Sequence, residues 1–82
     1  MEVEQRVRQY IVDNLRFYGS PETLTADYGL IDNDVLDSMG IFEVISFLED
    51  HYGIEVEDQD LVPENFESIK AISTLVAAKT SR

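Results

Sequence analysis

With 82 residues and no cysteine, the chain has the size of one small domain that closes its core without disulfides, cysteine-bearing zinc sites or a thiol nucleophile of its own. Its formal net charge of −11 at pH 7, from 17 acids against 6 Lys and Arg, excludes a nucleic-acid partner and an anionic lipid surface. No apolar run is long enough to span a bilayer and Met1-Glu2-Val3-Glu4 is unlike a signal peptide, so residues 1–82 are expected to be a single cytoplasmic, monomeric domain.

Val3, Val7, Tyr10, Ile11 and Leu15 step at helical intervals, which predicts a first helix from Glu2 to Phe17, stopped by Gly19-Ser20-Pro21. From Ser20 to Leu36 no period is sustained. A connection this long in so small a domain is functional or is pinned by apolar side chains, and Leu30, Ile31 and Leu36 supply the pins. From Met39 onward, Ile41, Val44, Ile45, Leu48 and Tyr52 recur at steps of three and four, so a second helix runs from Ser38 to His51 or Tyr52. Gly53 fits the position just past its end. His51 falls in the last turn, where an imidazole serves the terminal carbonyls rather than catalysis. Ile54-Glu55-Val56-Glu57 alternates like a strand but has no companion, and reads as a loop with Ile54 and Val56 buried. Pro63-Glu64-Asn65-Phe66 predicts a short helical turn opened by proline, with Phe66 in the core. Ser68 caps a last helix in which Ile69, Ile72, Leu75 and Val76 share a face, ending near Lys79. The fold class is all-α: a small bundle of three main helices plus one short helical turn.

Asp37 and Ser38 stand at the start of the strongest helix pattern. First-turn N–H groups lack internal partners and carry the positive end of the helix dipole, so a phosphate attached there is held favourably and Ser38 is a candidate phosphate carrier. The plainer alternative is an N-cap, worth ~0.5–2 kcal/mol to the fold and nothing to function. Charge leaves a similar pair of readings. Arg6, Arg8, Arg16, Lys70, Lys79 and Arg82 hold all the formal positive charge, and from Phe17 to Ile69 there is none, while 14 acids fall in that stretch. The middle of the molecule is a negative field that steers it toward basic protein surfaces, or else a solvating coat. Asp32-Asn33-Asp34 does not continue as a calcium loop, because the sixth position holds Asp37 instead of glycine. A serine hydrolase is excluded in the same way: Ser38 lacks the upstream glycine of a nucleophile elbow, and His51 lies at the far end of the same helix.

Taken together, Val35-Leu36-Asp37-Ser38-Met39-Gly40, the helix from Ile41 to Asp50, Tyr52-Gly53-Ile54-Glu55-Val56 and the run Asp60 to Ile69 resemble the acyl carrier protein and peptidyl carrier protein family. The likeness extends across essentially the whole chain. It implies a carrier that catalyses nothing itself: Ser38 receives 4′-phosphopantetheine covalently from coenzyme A through a separate phosphopantetheinyl transferase, and the arm's thiol carries an acyl or aminoacyl group as a thioester between partner enzymes. Asp37 matches the family's motif acid, with an implied role beside the transferase's metal and cofactor. The Asp-Ser-Met-Gly form is more similar to free-standing carriers serving aminoacyl or D-alanyl transfer, or specialised metabolism, than to fatty-acid carriers. Met39 and Phe42 are expected to give apolar contacts beside the attachment site, with Glu43, Glu49 and Asp50 adding charge for loading and transfer enzymes with basic docking surfaces. For Phe42, core packing is the competing expectation. Two other function classes remain: an unmodified acidic helical adaptor, in which Ser38 stays a bare hydroxyl, and a calcium-binding domain, which would gain order on adding the ion.

Overall fold

In a computed structural model that describes residues 2–15, 19 and 21–80, the elements are α1 (Glu2–Asn14), a 3-10 turn (Pro21–Thr23), α2 (Ser38–Tyr52), a second 3-10 turn (Asp58–Asp60), α3 (Pro63–Phe66) and α4 (Ile69–Thr80). Three long helices and one short one are the expected set. The expected end of the first helix at Phe17 lies outside the described residues, as does Ser20 of its stop; a bond from Leu15 N–H to Ile11 O carries the α1 ladder one step past Asn14.

The core draws on every helix and on the long connection. Val7 and Ile11 of α1, Val44, Ile45 and Leu48 of α2, Phe66 of α3, and Ile69, Ile72, Leu75 and Val76 of α4 are buried together with Leu24, Leu30, Val35 and Leu36. Burying four apolar side chains from a segment without regular structure is what holds that segment in place, at ~1.5–3 kcal/mol for each side chain fully removed from water. Ile31, expected as a third pin, is only half-buried.

Hydrogen bonds finish the fastening. Arg8 Nε donates to Leu24 O at 2.7 Å, Lys70 N–H to Ala26 O at 2.8 Å and Leu30 N–H to Glu67 O at 2.8 Å, so the connection is sewn to α1 and to the corner between α3 and α4. Buried backbone groups outside regular structure need such partners.

The C-terminal end of α2 and the N-terminal end of α4 follow local chemistry. Gly53 closes α2 at φ 65°, in the left-handed region, and its N–H reaches Glu49 O at 3.0 Å. Ser68 Oγ accepts from Ala71 N–H at 3.1 Å and so caps α4. The segment after Gly53 contains no strand, as expected, but Ile54 and Val56 are half-buried rather than buried. Val56 is tied through its N–H to Glu49 Oε2 at 3.0 Å.

Lys79 and Asp60 form an ion pair at 2.6 Å, with their side chains only 13% and 16% exposed. The bond from Lys79, and then the one from Glu57 N–H, hold the Asp60 carboxyl below its ordinary range. A carboxyl depressed on folding stabilises above its unfolded value, and that contribution is lost as pH falls through the folded one. The stability difference between the parent and Lys79→Met, from urea unfolding, is therefore expected to be constant near neutrality and to shrink below pH ~4, the ordinary Asp range. A difference that grows as pH falls below the ordinary Asp range would contradict this, since the pair's contribution can only be lost as Asp60 takes up its proton.

Candidate functional site

The start of α2 is built by a tight reversal over residues 29–36. Asn33 N–H and its side-chain amide both donate to Gly29 O, at 3.0 and 2.7 Å, and Asp34 turns the chain at φ 60°. Leu30 O then accepts from both Val35 and Leu36, at 2.9 and 3.1 Å. The reversal delivers Val35 and Leu36 to the core and leaves Asp37 and Ser38 on the surface.

Asp37 is the N-cap, with Oδ1 accepting from Gly40 N–H at 2.8 Å while its carbonyl accepts from Ile41 N–H at 2.9 Å. Ser38 is the first helical residue and is exposed. The cap is therefore Asp37, and the hydroxyl of Ser38 is not needed for it. Gly40 is buried, and a Cβ there would lie 3.2 Å from Leu36 Cδ2 and 3.4 Å from Asp37 Oδ1. Glycine thus lets the first turn seat closely on Leu36 and the capping carboxylate.

Met39 is 72% and Phe42 59% exposed, which decides Phe42 against core packing. Glu43 is exposed one turn beyond Ser38, and its carbonyl accepts from Tyr10 Oη at 3.3 Å. Burial first, and the Glu43 charge second, raise the Tyr10 pKa, so that hydroxyl stays a donor. Met39, Phe42 and Glu43 share the end of α2 that bears Ser38. Glu49 and Asp50 lie toward the other end, ~17–18 Å along the axis. There Glu49 is half-buried with its carboxylate bound by Val56 N–H, and Asp50 is exposed. His51 is exposed and stacks on Phe47, with centroids 5.4 Å apart, at the opposite end of α2 from Ser38.

Beside Ser38 opens a groove of about 470 Å³. Ile31 and Leu36 of the connection, Ile41 and Phe42 of α2, and Leu61, Val62, Pro63 and Phe66 line it together with Asp37 and Ser38. Its Leu61-Val62 wall is what the sequence reasoning missed. The available signal is a pair of adjacent apolar residues between an acidic run and a proline. Among the described residues no cluster of three His, Asp or Glu suits a metal ion, and no helix is long and apolar enough to cross a membrane.

No protein-family profile matches the chain. It is 32% identical over 76 residues to the acyl carrier protein of Campylobacter hominis, covering 93% of this chain and 91% of that protein. It is 30% identical over 60 residues to the acyl carrier protein of Nitratidesulfovibrio vulgaris, covering 73% and 76%. The solution NMR structure of a holo acyl carrier protein from Nitrosomonas europaea matches with a TM-score of 0.83 at 31% identity over 100% of both chains. The apo peptidyl carrier protein KstB-PCP matches at 0.76 and 36% identity, covering 92% of this chain and 82% of that one. With the same all-helical architecture and sequence identity running through nearly the full length, the chain belongs to the acyl carrier protein and peptidyl carrier protein family.

Proposed function

We propose that Ser38 bears a 4′-phosphopantetheine arm, placed there from coenzyme A by a phosphopantetheinyl transferase, and that residues 1–82 act as one cytoplasmic carrier domain moving an acyl or aminoacyl group between biosynthetic enzymes. The observation that carries this reading is the exposed hydroxyl at the first residue of α2, in a family of carriers that are not enzymes. The arm supplies the thiol that this cysteine-free chain lacks, and the cargo is joined to it as a thioester.

The chain's own residues do the rest. The first turn of α2 holds an anionic phosphodiester at the positive end of its dipole. Asp37, fixed through Gly40 N–H, keeps a carboxylate beside the hydroxyl for the transferase. Met39 and Phe42 give a docking enzyme apolar contact, with the Glu43 charge at the rim. An apolar cargo has the neighbouring groove open to it, whereas a polar aminoacyl group gains nothing there and stays in water. Intact mass after incubation with coenzyme A and a broad-specificity transferase tests the reading. A gain of one phosphopantetheine per chain is expected; an unchanged mass favours the unmodified adaptor.

The acidic surface gives a second measurement. Glu43→Lys is expected to slow loading by about three- to tenfold through weaker steering and a reversed rim charge, with stability changed by less than ~0.5 kcal/mol. Glu55→Lys, exposed beyond the far end of α2, changes net charge equally and is expected to slow loading far less. Equal slowing in both variants would mean a diffuse field, and none in either a solubility coat.

A further inference from the structure

We infer that the Lys79–Asp60 pair is a latch that fixes the Leu61-Val62 wall of the groove, making these two residues positioning residues for an apolar cargo that they do not touch. The inference rests on Ser38 being the attachment site. Its basis is how the segment from Glu57 to Phe66 is fastened.

Leu61 and Val62 are each 39% exposed and link the second 3-10 turn to α3, and their backbone bonds stay local: Leu61 N–H to Asp58 O at 3.1 Å and Val62 N–H to Asp60 O at 2.9 Å. Among the contacts of the described residues, three fasten this segment and Val56, just before it, to the long helices. At one end Val56 N–H binds Glu49 of α2, at the other Phe66 is buried in the core, and between them Lys79 reaches from the last turn of α4 to Asp60. The middle tie falls immediately before the wall.

Asp60 gathers the local structure around that tie. Its Oδ2 also accepts from Glu57 N–H at 3.0 Å, and its carbonyl accepts from Asn65 Nδ2 at 2.8 Å, so one residue joins the 3-10 turn, the start of α3 and α4. Glu57 and Asp58 add two further acids beside it. Without the Lys79 ammonium, three adjacent carboxylates repel one another, the turn loosens, and Leu61 and Val62 leave the groove. Because Lys79 lies in the last turn of α4, its replacement leaves the buried face of that helix intact.

Amide hydrogen exchange on the unloaded full chain tests the latch directly. Lys79→Met is expected to speed exchange of residues 58–66 by about fivefold or more while α1 and α2 keep their parent rates, and Lys79→Arg is expected to restore the segment. Unchanged exchange in the segment, or an equal rise throughout the chain, would overturn the inference. A second readout uses protein loaded with octanoyl or acetyl phosphopantetheine and treated with hydroxylamine, which releases a hydroxamate and the free thiol. Lys79→Met is expected to hasten cleavage of the octanoyl thioester about threefold or more, the acetyl one remaining as in the parent. Octanoyl cleavage at the parent rate would overturn the positioning role. Failure to load would overturn the carrier reading instead, and exchange on the unloaded chain still decides the latch.

Discussion

Ser38→Ala is expected to abolish loading completely while leaving the fold as stable as the parent. Alanine offers no oxygen for a phosphodiester, so the mass of the variant should not change with coenzyme A and transferase. Its stability should hold because the cap at this helix start is the Asp37 carboxylate, bonded to Gly40, and an exposed first-turn serine has no such duty. Alanine is also the better helix former by a few tenths of a kcal/mol. The companion Asp37→Ala should lose about 1 kcal/mol of stability with Ser38 still present. A modified Ser38→Ala chain would refute the attachment site, and a strongly destabilised one would return Ser38 to a structural role.

Phe66→Ala is expected to remove most of the stability. The side chain is 1% exposed, sits where α3 meets the core, and is one of the largest fully buried groups in the molecule. Truncating a buried phenylalanine costs about 3–5 kcal/mol through lost transfer and a residual cavity. A small domain holds only ~5 kcal/mol or a little more in total, so the variant should be largely unfolded at modest urea. A loss below ~1 kcal/mol in urea unfolding would show that α3 is not the packed element its burial indicates.

The parts of the fold legible in the sequence are those set by neighbours in the chain. α2 is the clearest case: its cap, apolar period and closing glycine all lie within the segment, and the structure places them as expected. The route of residues 24–36 was not legible, since it depends on partners far away, Glu67 O for Leu30 and Lys70 N–H for Ala26. Asp34 adopts a positive φ that no glycine announces. The turn at Asp58–Asp60 is hidden for the same reason, because its fastening comes from Lys79 in another helix.

The candidate site shows a similar division. Ser38 and Asp37 were visible as a helix start, and exposure settles Phe42 as a surface residue. Charge was legible as a total but not as duties. Glu49 and Asp60, both part of the acidic stretch, are occupied in holding Val56 and Lys79, while Glu43 and Asp50 face solvent.

The stitching of the long connection to the corner between α3 and α4 has a consequence for synthesis in the cell. Leu30 cannot bind Glu67, nor Ala26 meet Lys70, until residues 67–70 have left the ribosome, because the exit tunnel shields the newest residues. Until then the reversal that presents Ser38 is incomplete, although α2 precedes those residues in the chain. A chain truncated before Ile69 should therefore be a poorer transferase substrate than one that includes α4.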